Sequence, residues 1–279
     1  MFRAGWTAVL LLTLLAGCGG GEPISRVSGA SDGGGNTPPT GVTTELISEE
    51  SFLGGPLNTA KWTLLGGSRG RSDFFNLLSF SDGKVTLNLD TYNQQNFFSK
   101  VSGSGIESLN AFSAAGGIAV QARLRLGSDA AGVVAEMGLR GENGLGSYDS
   151  ISAAYLGNQT LSFLLLQHWK NEPATPNYGA ADRLWTLKSR GGFSRRNWHV
   201  LEIRYRHPNA QWYLDGTLLH ESALSFAAAI PMKVWLRIWA PETDWPQGYS
   251  TALSPAVNPY AAVRYPLEVD WVRIYRIIP

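Results

Sequence analysis

Apolar and polar residues alternate with a period of two in short runs along most of the chain, and no segment carries a helical stripe. Val85-Thr-Leu-Asn-Leu-Asp90 alternates in this way, as do Ile118 to Leu126 and Val234 to Trp239. Turn-forming residues separate the runs, among them Ser81-Asp-Gly83, Arg140-Gly-Glu-Asn-Gly144 and Asp215-Gly216. Short strands spaced by turns predict an all-β sandwich.

The same alternation sorts side chains by face, because successive residues of a strand point to opposite sides of the sheet. In Val234-Trp-Leu-Arg-Ile-Trp239, one face holds Val234, Leu236 and Ile238, and the other holds Trp235, Arg237 and Trp239. Burying an unpaired guanidinium is costly, so the second face is expected to be open. Indoles that stack on the apolar side of a pyranose, beside a guanidinium that meets its hydroxyls, make a sugar-binding wall. The alternative is an outer face on which Arg237 covers a Trp by cation–π contact. The run Val133 to Arg140 likewise puts Glu136 and Arg140 together, opposite Val133, Ala135, Met137 and Leu139. Together there they suit an ion pair, and the family resemblance given below implies instead that they line a cleft. His168 and Trp169 end the run from Leu161 and are further sugar-binding candidates, although His168 equally suits a structural place. Trp212 and Trp271 sit in apolar runs and read as core, and Trp62, in the spacing Asn58-x-x-x-Trp62 that belongs to the family resemblance given below, reads as core as well.

The first 43 residues break the pattern. One Arg, the apolar run Ala8 to Leu15, too short to span a bilayer, and then Leu15-Ala-Gly-Cys18 make a secretory signal. A short membrane anchor or a buried helix is the alternative. Cys18 is the only cysteine in the chain and stands where a bacterial lipoprotein signal places the thiol that takes a diacylglycerol. Residues 1–17 are therefore expected to be a signal peptide, 18–43 the lipidated Cys and a flexible Gly/Ser/Pro linker, and 44–279 one domain. Each buried acyl methylene contributes about 0.8 kcal/mol, so the anchor holds at the membrane without a transmembrane helix. This places the protein in the bacterial cell envelope, and Gly19 instead of Asp after the cysteine favours the outer membrane.

Composition narrows the chemistry. A net charge of +1 with 16% charged residues gives no basic field for nucleic acid. There is no Gly-x-Ser-x-Gly elbow, His-Glu-x-x-His helix or phosphate loop, and four His make a His-rich metal site improbable. The chain is expected to act as a monomer. Ten Trp in so weakly charged a chain, nine of them after the signal, instead suit a sugar partner.

Ser102-Gly-Ser-Gly-Ile-Glu-Ser108, Phe112 and Gly116 to Leu126 are followed by Trp198 to Arg204, Trp212 to Gly216 and Leu267 to Tyr275. In order and spacing, from about Glu49 to the C-terminus, these segments resemble glycoside hydrolase family 16. The resemblance implies a concanavalin A-like jelly roll of two bent antiparallel sheets, with a glycan cleft on the concave face. The family's acidic strand Glu-x-Asp-x-Glu supplies a nucleophile and an acid/base, whose carboxyl groups in retaining enzymes lie about 5–5.5 Å apart. Here Ser150, Ser152 and Ala154 occupy those positions, and a slip of one residue to Asp149 would turn the set to the other face. The expectation is a polysaccharide-binding pseudoenzyme that requires no cofactor. The alternative is an active carbohydrate enzyme: a divergent hydrolase using Glu136 with Glu142 or Asp149, or a lyase drawing on Gln121, Arg123, Tyr155, Gln167 and His168. The resemblance also implies a structural calcium at Asp270, for which pairing with Arg273 is the competing role.

Overall fold

The computed structural model describes residues 42–53, 55–144, 147–157, 162–173, 183–189, 192–224, 226 and 230–278. The expected signal peptide, Cys18 and the expected linker up to residue 41 lie outside the described residues. The chain begins with β1 (Thr44–Glu50), β2 (Trp62–Leu64), β3 (Ser68–Arg69), β4 (Ser72–Phe74), β5 (Leu78–Ser81) and β6 (Lys84–Asp90). It continues through β7 (Val101–Ser108), β8 (Ile118–Leu126), β9 (Val134–Glu142), β10 (Tyr148–Gly157), β11 (Ser162–Glu172) and β12 (Arg183–Lys188). It ends with β13 (His199–Arg206), β14 (Asn209–Leu214), β15 (Thr217–Ala223), β16 (Lys233–Trp239) and β17 (Arg264–Ile277).

Two antiparallel layers result. In the first, β17 runs between β8 on one side and β6 and β1 on the other, and the layer extends from β8 through β13 and β14 to β15. The second reads β2, β7, β16, β9, β10, β11, β12. The expected turns close two hairpins. Asp82 and Gly83 have φ of 50° and 71°, and Asp215 and Gly216 have 50° and 75°, the doubly positive geometry that suits a two-residue hairpin.

Alternation buries one side of each layer in a common core. Ile118, Val120 and Ala122 of β8, with Leu201, Ile203 and Tyr205 of β13, face Val234, Leu236 and Ile238 of β16 and Ala135, Met137 and Leu139 of β9. Trp62 and Trp212 join this core as expected, and the Trp212 Nε1 donates to the Ser152 carbonyl at 3.0 Å, tying the two layers together. Trp271 does not. The pairing of β17 with β8 shifts register between Val269 and Trp271, so the inward positions pass from Leu267 and Val269 to Val272 and Ile274. Trp271 is left half-buried, with the Arg273 guanidinium 4.3 Å from its ring centre.

Candidate functional site

The side of the second layer that faces away from the core carries the residues singled out in the sequence. Trp235, Arg237 and Trp239 do share this face, yet they are 3%, 5% and 0% exposed. Arg237 can be buried because Glu136 lies directly opposite it on β9. The Arg237 Nε and Nη2 donate to Glu136 Oε2 at 2.9 and 2.6 Å, and the Trp239 Nε1 donates to the same oxygen at 3.1 Å. Glu136 Oε1 accepts from Ser152 Oγ and Gln167 Nε2, both at 2.8 Å. Five donors therefore meet a carboxylate with about four lone-pair sites, leaving none for another partner. Arg183 extends the network by donating from Nε to Gln167 Oε1 at 2.8 Å.

A loop covers one end of this floor. Trp245 stacks on Trp239 with ring centres 5.1 Å apart and planes 17° from parallel, and both pack with Trp169, Leu165, Ala154 and Val134 in an apolar cluster separate from the main core. Arg71 holds the loop at both ends, donating to the carbonyls of Pro241 at 2.9 Å, Ser250 at 2.9 Å and Leu253 at 2.7 Å. The close approach depends on Gly70, whose φ is +54° and where an added Cβ would lie 2.7 Å from the Ala240 carbonyl oxygen.

On the other side of Gly70, Arg69 donates to Glu172 at 2.6 Å. Glu172 reaches this face through a bulge: Ser150 pairs with Trp169 but Tyr148 with Glu172, and Asn171 between them has φ of 57°. Burial acts to raise the Glu172 pKa. The charges of Arg69 and Arg237, with hydrogen bonds from Ser150 and Arg69, outweigh it and hold the carboxyl below the ordinary glutamate range. Ser150, Ser152 and Ala154 stand on this face opposite Arg140, Gly138 and Glu136. Where the resemblance would place acids, two hydroxyls serve neighbouring carboxylates as donors.

The alternative acid pairs do not meet. Glu142 lies six residues along β9 from Glu136, about 20 Å at 3.3 Å per residue. Asp149 points to the opposite side, 2% exposed, where the Asn171 backbone donates to it at 3.0 Å. The lyase candidates are dispersed: Gln121 and Arg123 belong to the first layer, Tyr155 lies in the core, and only Gln167 is on this face. His168 and Trp169, adjacent in β11, take opposite sides of it. Trp169 joins the Trp239 cluster, whereas the His168 Nε2 lies 3.1 Å from Ser222 Oγ, with the ring edge toward Phe226. Burial and nearby His220 lower its pKa. Arg140 pairs with Glu107 on β7.

Asp270 accepts a hydrogen bond from Arg123 Nη1 at 2.6 Å, not from Arg273. Among the described residues no three His, Cys, Asp or Glu side chains gather to hold an ion. A carboxylate already held by a guanidinium, outside any such group of three, does not fit calcium.

Sequence reasoning missed Glu172, Arg69, Arg71, Trp245 and Trp185. Trp185 stands across from Gln167 on the edge strand β12 and is 43% exposed. It ends a cross-strand row of Trp235, Gly138, Ser152, Gln167 and Trp185, spanning about 19 Å at 4.8 Å per strand. An excess of Trp was visible in the composition, but no periodicity assigned these positions.

No family model matches this sequence, and no curated protein sequence matches it. Solved structures do. An endo-β-1,3-glucanase from Pyrococcus furiosus aligns with a TM-score of 0.66 at 16% identity, over 87% of this chain and 99% of that one. The catalytic domain of a Thermotoga petrophila endo-1,3-β-glucanase (laminarinase) gives 0.67 at 14%, over 85% and 100%. A β-1,3-1,4-glucanase (lichenase) from a mouse hindgut metagenome gives 0.62 at 16%, over 83% and 99%. At these identities the likeness is one of fold, the all-β jelly-roll sandwich.

Proposed function

We propose that this protein is a lipid-anchored bacterial envelope protein that binds a β-glucan-like polysaccharide without cleaving it, a non-catalytic relative of family 16 glycoside hydrolases. One observation carries the non-catalytic half: three carboxylates along the site face, Glu107, Glu136 and Glu172, are each held by a guanidinium, from Arg140, Arg237 and Arg69 respectively, and Glu142, on the same face, lies about 20 Å from Glu136. Retaining cleavage needs one carboxylate free to attack and one protonated to donate, about 5–5.5 Å apart. Glu136 has no lone pair to spare, and Glu172 is held in its charged form.

The binding half is supported by the row that ends in Trp185. Trp235 lies over Gly138, and Ser152 and Gln167 are buried, so the exposed indole of Trp185 is the stacking platform of this row. The β-glucanases among the fold neighbours favour a β-glucan as the polymer, and the signal read in residues 1–17, followed by Cys18, favours the anchor. On affinity gels run through a polysaccharide panel, the protein is retarded by at least one β-glucan, and Trp185→Ala loses about fivefold in affinity, the size of a stacking contact of about 1 kcal/mol. Purified protein releases no reducing ends or unsaturated sugars. Migration unaffected by every glycan, or sustained release of either product, would overturn the reading.

A further inference from the structure

At the end of the site face away from Trp245, a cavity of about 380 Å³ opens between Glu107, Arg140, Glu142, Tyr148, Pro231 and Lys233. We propose that this cavity is a second, distinct sugar site that holds a single neutral pyranose, a chain end or a branch of the polymer. The inference rests on the reading of this face as glycan-binding. The volume falls in the range of pockets that take small molecules.

The walls are built on four adjacent strands, β7, β16, β9 and β10, and are therefore stiff. Gly141 lets the segment before β16 close in, since a Cβ there would lie 2.5 Å from Ile230 Cγ2 and 2.7 Å from the Pro231 carbonyl oxygen. The polar groups are preset. Arg140 binds Glu107, Lys233 Nζ lies 3.7 Å from the same carboxylate, and the Arg140 guanidinium sits 4.8 Å from the Tyr148 ring centre.

The charge of the lining selects the ligand. Two cations, Arg140 and Lys233, stand against two carboxylates, Glu107 and Glu142, so the sum is zero and neither a polyanion nor a polycation gains. A neutral sugar hydroxyl donates and accepts at once, and this wall offers ammonium and guanidinium donors beside carboxylate acceptors. Half-buried Tyr148 supplies the aromatic surface against which a pyranose packs. A uronate finds no net positive field here to offset the desolvation of its charge, and binds less well.

The test is titration of the full-length protein in detergent micelles with methyl β-D-glucopyranoside and with methyl β-D-glucuronoside, followed by nuclear magnetic resonance. The neutral glycoside is expected to bind, the glucuronoside more weakly. Tyr148→Ala and Lys233→Ala each reduce the neutral affinity at least about fivefold, and Tyr260→Ala, at a fully exposed position of the single helical turn Pro259–Ala261, does not. Lys233 is 39% exposed at its side chain, so that variant reads binding without a folding defect. Equal affinity in the Tyr148 and Lys233 variants, or tighter binding of the glucuronoside, overturns this site while retention on polysaccharide gels leaves the broader reading standing. Absence of both glycoside binding and gel retention overturns both.

Discussion

Arg237 and Glu136 face each other across adjacent strands, and two guanidinium nitrogens donate to one carboxylate oxygen in a setting that leaves the side chains 6% and 0% exposed. Removing one member of such a pair strands a buried charge, which costs about 3–5 kcal/mol. Glu136→Gln should lower the unfolding free energy by that order in urea titration. Glu136→Leu with Arg237→Met should recover part of the loss, because it strands no charge, although the Ser152, Gln167 and Trp239 donors lose this acceptor. A double variant no more stable than Glu136→Gln would show that the pair itself stabilises the domain.

Asp73 sets an acid limb. Its carboxylate accepts from Ser68, Asn93 at 2.9 Å, Asn96 at 2.6 Å and Lys100 at 3.0 Å. Burial acts to raise its pKa, and the four hydrogen bonds overcome it, bringing the value down to about 2. A depressed carboxyl stabilises the fold above its unfolded pKa of about 3.9, and that contribution disappears as the pH falls toward 2. Asp73→Asn should therefore be less stable than the parent at pH 7 and should lose less on acidification from pH 5 to pH 2, as read by thermal unfolding at each pH. Parallel pH profiles would contradict this.

Chelation should leave the protein unchanged. Asp270 is already engaged by Arg123, so the thermal midpoint with excess chelator should equal that with added calcium. A rise of several degrees with calcium would point to a donor set other than the one at Asp270.

Membrane attachment should depend on one sulfur. Cys18→Ser is expected to move the protein from the detergent phase to the aqueous phase in phase partitioning, since no acyl chain can then be attached. Continued detergent partitioning would remove the lipoprotein reading.

The fold was legible because alternation is local: the inward residues of β8, β9 and β16 could be named from spacing alone. The site was less so. Arg237 was expected on an open face, since nothing within β16 reveals a partner, and Glu136 lies 101 residues away in sequence. Glu172 and Trp271 were misplaced or missed because a bulge changes the phase of a strand without leaving a mark in the residue pattern. His168 and Trp169, read together as neighbours, were separated by the same alternation that had identified the strands.

Arg71 reaches carbonyls that lie 170, 179 and 182 residues further along the chain. Contacts so distant in sequence close late, after the loops between them have been gathered. The Trp245 cover is thus assembled only when both ends of the domain have been made and brought together. A chain interrupted before residue 241 would carry Trp169 and Trp239 without the Trp245 cover above them, a sticky intermediate during synthesis.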